Sequence, residues 1–166
     1  MLETSNAPDL AYIASVTRVR AAAGVLLRDD AGRVLVVHPT YKDVWEIPGG
    51  TLEADESPLV ACRRELEEEL GLTLAVGPVL CVDWVPPAPP WDGGLMFVFD
   101  GGVLTAEQIA AIRLREEELD RLEFVAPDRL GEVLVGRLAK RVAASVLAAE
   151  KGTATYLEDG MTPASM

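Results

Sequence analysis

Between Ser57 and Gly71 the chain marks both ends of one helix and supplies the reason that helix must be covered. Ser57 suits the N-cap, Pro58 the first helical position, and Gly71 the left-handed stop after Leu70. At 100° per residue Leu59, Cys62, Leu66 and Leu70 fall on one arc, which has to find an apolar partner. The adjacent arc carries Glu65, Glu68 and Glu69, spaced i, i+3 and i+4 and able to converge on one point. Like charges at this spacing cost a few tenths of a kcal/mol per pair. Acids in the last turns also oppose the helix dipole, by roughly 0.3–1 kcal/mol each. Stability alone does not select such a helix.

What covers the apolar arc is read from the flanking segments. Val19 to Leu27 and Val34 to Val37 are rich in Val, Leu and Ala, and Asp29-Asp30-Ala31-Gly32 between them supplies turn chemistry, which predicts a β-hairpin. Pro48-Gly49-Gly50 predicts a turn inside Trp45 to Leu52. Leu74 to Val85, Leu95 to Phe99 and Arg121 to Val125 read as extended, Thr105 to Ile112 and roughly Leu130 to Glu150 as helices. Pro86 to Gly94, with four prolines and two glycines, is a loop. Helices interleaved with strands at irregular spacing predict an α/β fold with a mixed β-sheet. With 166 residues, one domain is expected over residues 18–151, preceded by an arm or edge element at 1–17 and followed by a mobile tail at 152–166.

Charge narrows the function. Fifteen Lys and Arg stand against 27 Asp and Glu, a formal net charge of -12, which repels nucleic-acid backbones and argues against that partner. A small phosphorylated substrate would meet the same repulsion, so phosphate chemistry needs a local reversal of sign, as a bound cation provides. No apolar run is long enough to span a membrane; Val133 to Ala149 contains Arg137, Lys140 and Arg141 and reads as a soluble amphipathic helix. The residues before Leu10 do not resemble a secretion signal, and Cys62 and Cys81 show no metal or disulfide spacing, so a cytoplasmic location with two buried thiols is expected. The single histidine, His38, precedes Pro39 and is read as a satisfied imidazole at a strand end. Chemistry therefore rests on carboxylates.

Hard oxygen ligands without imidazole or thiolate suit Mg²⁺ or Mn²⁺. Arg64, one turn before Glu68, is placed to hold a carboxylate, and Glu56 enters from the preceding loop. Gly50, five residues, Glu56, seven residues, Arg64-Glu65-Leu66, one residue, Glu68-Glu69, one residue and Gly71-Leu72 together resemble the complete signature box of the Nudix hydrolase family, with no departure at any position. The lead-in Trp45 to Gly50 is similar to the family as well.

That resemblance implies an α/β/α sandwich and hydrolysis of a pyrophosphate bond in a small nucleotide-type substrate, with Mg²⁺ or Mn²⁺ as cofactor. It implies Glu65, Glu68, Glu69 and the carbonyl of Gly49 as metal ligands, Arg64 as the group that orients the glutamates, and Gly50, Glu56 and Gly71 as structural support. Glu68 is the box candidate for general base. Family members often carry a further glutamate on a later loop, and Glu118 of the Arg115 to Glu118 run is the candidate here. A homodimer is common in the family.

Substrate-binding residues are not assigned by the box. Nucleoside diphosphates linked to a second moiety come first, of the ADP-ribose or nucleotide-sugar kind, with Pro87 a weak pointer; nucleoside triphosphates come second. Trp84 and Trp91 flank the proline loop and are candidates for stacking or for plain packing. A nucleotide-sensing module without catalysis would have an eroded box and an attached DNA-binding segment. A prenyl diphosphate isomerase would need a cysteine in a different setting from Cys62.

Overall fold

The computed structural model describes residues 8–164. A short helix, α1 (Leu10–Ser15), capped by Asp9, precedes strand β1 (Arg20–Arg28). Then follow β2 (Val34–Pro39), β3 (Gly49–Thr51), α2 (Pro58–Leu70), β4 (Val79–Val85) and β5 (Gly94–Val103). The chain continues through α3 (Ala106–Ala111), β6 (Leu119–Val125), a short turn into α4 (Leu130–Val133), α5 (Gly136–Lys151) and β7 (Thr155–Glu158).

The strands form one mixed sheet in the order β6-β2-β1-β5-β4-β7, with β3 pairing with β1 off that path. β1 runs parallel to β5 and β4 parallel to β7, while the other pairings are antiparallel. Strand alternation sends Ala23, Val25 and Leu27 of β1 toward Cys62, Leu66 and Leu70 of α2. Leu26, Val34 and Val36 go to the opposite face, against Val142 and Val146 of α5. The result is the expected α/β/α layering.

Three sequence expectations change. The hairpin turn is present, with Asp29 Oδ1 accepting from the N–H of Ala31 and Arg33 and Gly32 at φ +75°, but its strands pair only at Arg28↔Val34. Beyond that point they splay, and residues 46–51 wedge between them: Val37 pairs with Glu46, and Ala22 to Gly24 pair with Gly49 to Thr51. Gly49-Gly50 is accordingly a strand and not a turn. Its glycines serve close approach, because a Cβ on Gly49, at φ +145°, would overlap the Ala23 carbonyl and the Gly24 Cα.

The tail expected to be mobile from Gly152 instead adds β7 to the sheet edge. Cys81 to Trp84 of β4 pair with Thr155 to Glu158, and Leu157 is buried against the α5 face. Four residues of strand give little periodic signal, and their order comes from the β4 edge. On α5, Arg141 is only 9% exposed.

Candidate active site

The site is assembled by the docking of α2 against β3. Ser57 Oγ accepts from the Val60 N–H, and Gly71, at φ +66°, closes the helix with its N–H on Glu67 O. The N–H groups of Arg113 and Arg115 then donate to Leu70 O and Glu69 O, which seats the loop before β6 on the C-terminal end of α2. The same loop is held from the other side, where Thr40 N–H donates to Glu118 O and Thr40 Oγ1 to Glu117 O.

Arg64 organises the acids. Its Nε and Nη2 donate to the two oxygens of Glu56 at 2.9 and 3.0 Å, Nη1 donates to Glu65 at 2.8 Å and to Glu68 at 3.2 Å, and Nη2 also reaches Thr51 O. The bidentate grip holds the Glu56 carboxyl below its usual range and keeps Arg64 firmly protonated. Glu56 thus ties the loop after β3 to the helix through Arg64.

The three clustered glutamates differ in environment. Glu69 is 9% exposed, and its Oε2 accepts the Gly49 N–H at 2.8 Å. Burial outweighs that bond and pushes its carboxyl up to about 8. Glu65 is raised by burial too, against the pull of Arg64. Glu68 is more open; Arg115 Nη1 lies 4.0 Å from it and 3.2 Å from Glu118. Arg115 lies between Glu68 and Glu118, and the Glu118 charge adds to the raising of Glu65 and Glu69.

Among the described residues no three His, Cys, Asp or Glu side chains stand as a ready ion cage. Glu65 and Glu68 share Arg64 Nη1 while Glu69 turns to the Gly49 N–H, so the convergence of all three expected from helical spacing is not met. The donor set nevertheless fits a hard divalent cation, being all carboxylate oxygen. Gly50 leaves the room: a Cβ there would collide with the Glu65 carboxylate.

On its other side, the Gly49-Gly50 strand forms one wall of an open cleft of about 350 Å³. Arg20, Lys42 and Arg141 line this cleft, and Glu46 is its one acid, 2.7 Å from Lys42 Nζ. Sequence reasoning missed these residues. The signal for Arg141 was a charge standing within the apolar stripe Leu138, Val142, Ser145 and Val146. Trp84 and Trp91 do not line the cleft; Trp84 lies against Gly93, and Trp91 is exposed under the Arg20 guanidinium.

His38 is buried as expected, its Nδ1 2.7 Å from Asp120 and Nε2 3.3 Å from Asp43, with its ring edge to Trp45. Cys62 and Cys81 are free and buried, and burial pushes their thiols up to about 12 and about 11. Both are thereby held in the protonated thiol form at neutral pH.

The NUDIX domain profile matches residues 18–147. The chain belongs to the NUDIX family. An RNA pyrophosphohydrolase of Halorhodospira halophila is 45% identical over 53 residues, 32% of this chain and 29% of that one. A MutT-like protein of Streptomyces ambofaciens is 43% identical over 56 residues, 34% and 36% of the two chains. The chain thus aligns with about a third of the length of these relatives.

Among solved structures, a MutT NUDIX hydrolase from Burkholderia pseudomallei superposes with TM-score 0.63 at 25% identity, over 79% of this chain and 99% of that one. A UDP-X diphosphatase superposes with TM-score 0.69 at 20% identity, over 91% and 76%. NUDIX hydrolases generally use divalent metals. Among the described residues no helix is long and apolar enough to cross a membrane.

Proposed function

We propose that this protein hydrolyses a phosphoanhydride bond in a nucleoside diphosphate linked to a second moiety, using Mg²⁺ or Mn²⁺ held by Glu65, Glu68, Glu69 and the Gly49 carbonyl. The observation that carries the reading is the position of the bare Gly49-Gly50 strand. The strand touches the glutamates, through the Gly49 N–H on Glu69 and Gly50 against Glu65, and also lines the cleft that holds Arg20, Lys42 and Arg141.

Held by Glu65, Glu68, Glu69 and the Gly49 carbonyl, such a cation would supply the positive charge that a pyrophosphate needs against a chain of net charge -12 and would lower the pKa of a water beside it. The chain's own groups do the rest. Arg64 fixes Glu65 and Glu68 from behind, and Glu56 fixes Arg64. Glu69 is oriented by the Gly49 N–H, which couples helix to strand. Glu68, the most open of the three, accepts the proton of the attacking water. Glu118, steered by Arg115, adds negative charge on the far side of the cluster. Lys42, on the cleft wall, draws the substrate's remaining phosphate oxygens into the cleft.

A linked diphosphate is ranked ahead of a triphosphate on the family resemblance, not on the size of the cleft. At about 350 Å³ the cleft lies in the range of small-molecule sites. The test is a panel of nucleoside triphosphates, nucleotide sugars, ADP-ribose and dinucleoside polyphosphates with Mg²⁺ or Mn²⁺ and product identification. Release of a nucleoside monophosphate with the phosphorylated second moiety supports the reading. Pyrophosphate release from triphosphates alone replaces it with the triphosphate reading, and binding without turnover anywhere in the panel replaces it with the sensing module.

A further inference from the structure

Arg141 is placed where the fold gains little from a charge. It sits on the apolar stripe of α5, 9% exposed, and its Nε and Nη2 donate to Asp83 Oδ2 at 2.8 and 2.7 Å. Asp83 is wholly buried on β4, and its Oδ1 accepts the Gly160 N–H at 3.0 Å. A buried pair of this kind generally adds no more stability than well-packed apolar residues of the same volume. What it does is fix the guanidinium plane. Two nitrogens are taken by Asp83, and Nη1 has no protein acceptor among the described residues, while the residue itself lines the cleft.

The cleft wall repeats the theme. In a chain with 12 more acids than bases, this concavity has Arg20, Lys42 and Arg141 against Glu46 alone. Lys42 is engaged by Glu46. Arg20 donates its Nε to Asp92 O and lies 4.9 Å over the Trp91 ring, contacts that orient it without cancelling its charge. Two oriented guanidinium groups therefore face the cleft with donors to spare, in addition to the glutamate site behind β3.

We propose that Arg141, with Arg20, binds a second anionic group of the substrate, a phosphate or carboxylate separate from the scissile pyrophosphate. The inference rests on the proposed function for its setting, since it names the substrates that reaction takes: linked diphosphates carrying an extra anion. Arg141 is a specificity residue and Asp83 its positioning residue. The guanidinium presents its remaining N–H groups at a fixed angle, as recognition of a flat or tetrahedral anion requires.

The test uses probes that contain no anhydride bond, so binding is read apart from hydrolysis. Isothermal titration in EDTA compares AMP with adenosine 2′,5′-bisphosphate, and glucose 1-phosphate with glucuronic acid 1-phosphate. The member with the extra anion binds about tenfold tighter in at least one pair, as one added charged hydrogen bond implies. The pair that shows the gain names phosphate or carboxylate as the source.

Asp83→Asn/Arg141→Met removes both charges together, which avoids stranding a buried ion and keeps the fold by circular dichroism. The gain disappears in it. Arg20→Gln alters only the cleft rim and shrinks the gain; it decides the matter if the double variant does not fold. Equal affinities within both pairs, absence of binding by every probe, or a gain unchanged in the folded double variant overturns the proposal. Silence of the hydrolysis panel with the gain intact overturns the enzymatic reading and leaves this site standing.

Discussion

Replacement of Glu69 by glutamine makes the metal-free protein more stable and the enzyme inactive. Glu69 is 9% exposed, and burial pushes its carboxyl up to about 8 from an ordinary 4.5. In the unfolded chain it is ionised above pH 4.5, whereas in the fold it keeps its proton until about pH 8. The native state therefore holds the extra proton, and stability falls as pH rises through that window. At about 1.4 kcal/mol per pH step the loss reaches at most roughly 5 kcal/mol by pH 8. For a domain of this size that corresponds to about 10–20 °C in Tm.

Glu69→Gln keeps an acceptor for the Gly49 N–H and carries no charge to bury, so this component vanishes. Thermal unfolding in EDTA, followed by circular dichroism between about pH 5 and pH 8, measures the difference. Tm of the wild type falls toward pH 8 relative to Glu69→Gln, and the two converge near pH 5. Mg²⁺ restores the wild type most strongly at the alkaline end and does little for the variant. Parallel pH profiles in EDTA would refute the reasoning, because Glu69 would then not be carrying a buried charge.

Gly50→Ala leaves the fold intact but displaces the Glu65 carboxylate that its Cβ would overlap, and kcat falls about 100-fold in steady-state assays. Glu68→Gln lowers kcat by about 10²–10⁴, as expected for loss of a general base, and Glu118→Gln lowers it about tenfold; the reverse order would move the base to Glu118. Leu157→Ala, 1% exposed on β7, costs about 2–5 kcal/mol in urea unfolding, whereas a loose tail would give no change.

Legibility in the sequence followed the range of the interactions. The ends of α2 were readable because Ser57, Pro58 and Gly71 act within one turn, and the acid face because Glu65, Glu68 and Glu69 share a helix. The wedge of β3 was not, since Gly49 looks like a turn residue until Ala23 and Gly24 are placed beside it. Short β7 depends on the β4 edge and on the Gly160 N–H to Asp83 contact, 77 residues apart. Arg141 reads only as one of three bases on α5, because its partner Asp83 lies 58 residues away. Glu118 came only through the family resemblance, and the Arg113 and Arg115 N–H groups that seat its loop on α2 carry no local signature.

The central claim is that the carboxylates of α2 hold a divalent ion for phosphoanhydride hydrolysis. Titration of Mg²⁺ into EDTA-stripped protein, with turnover of the best panel substrate as the readout, tests it most directly when Glu65→Gln and Glu69→Gln are run alongside. Turnover is absent without the ion, rises to saturation with it, and in both variants requires far more Mg²⁺ or never appears. Turnover that persists in EDTA, or an unchanged Mg²⁺ dependence in the variants, contradicts the claim.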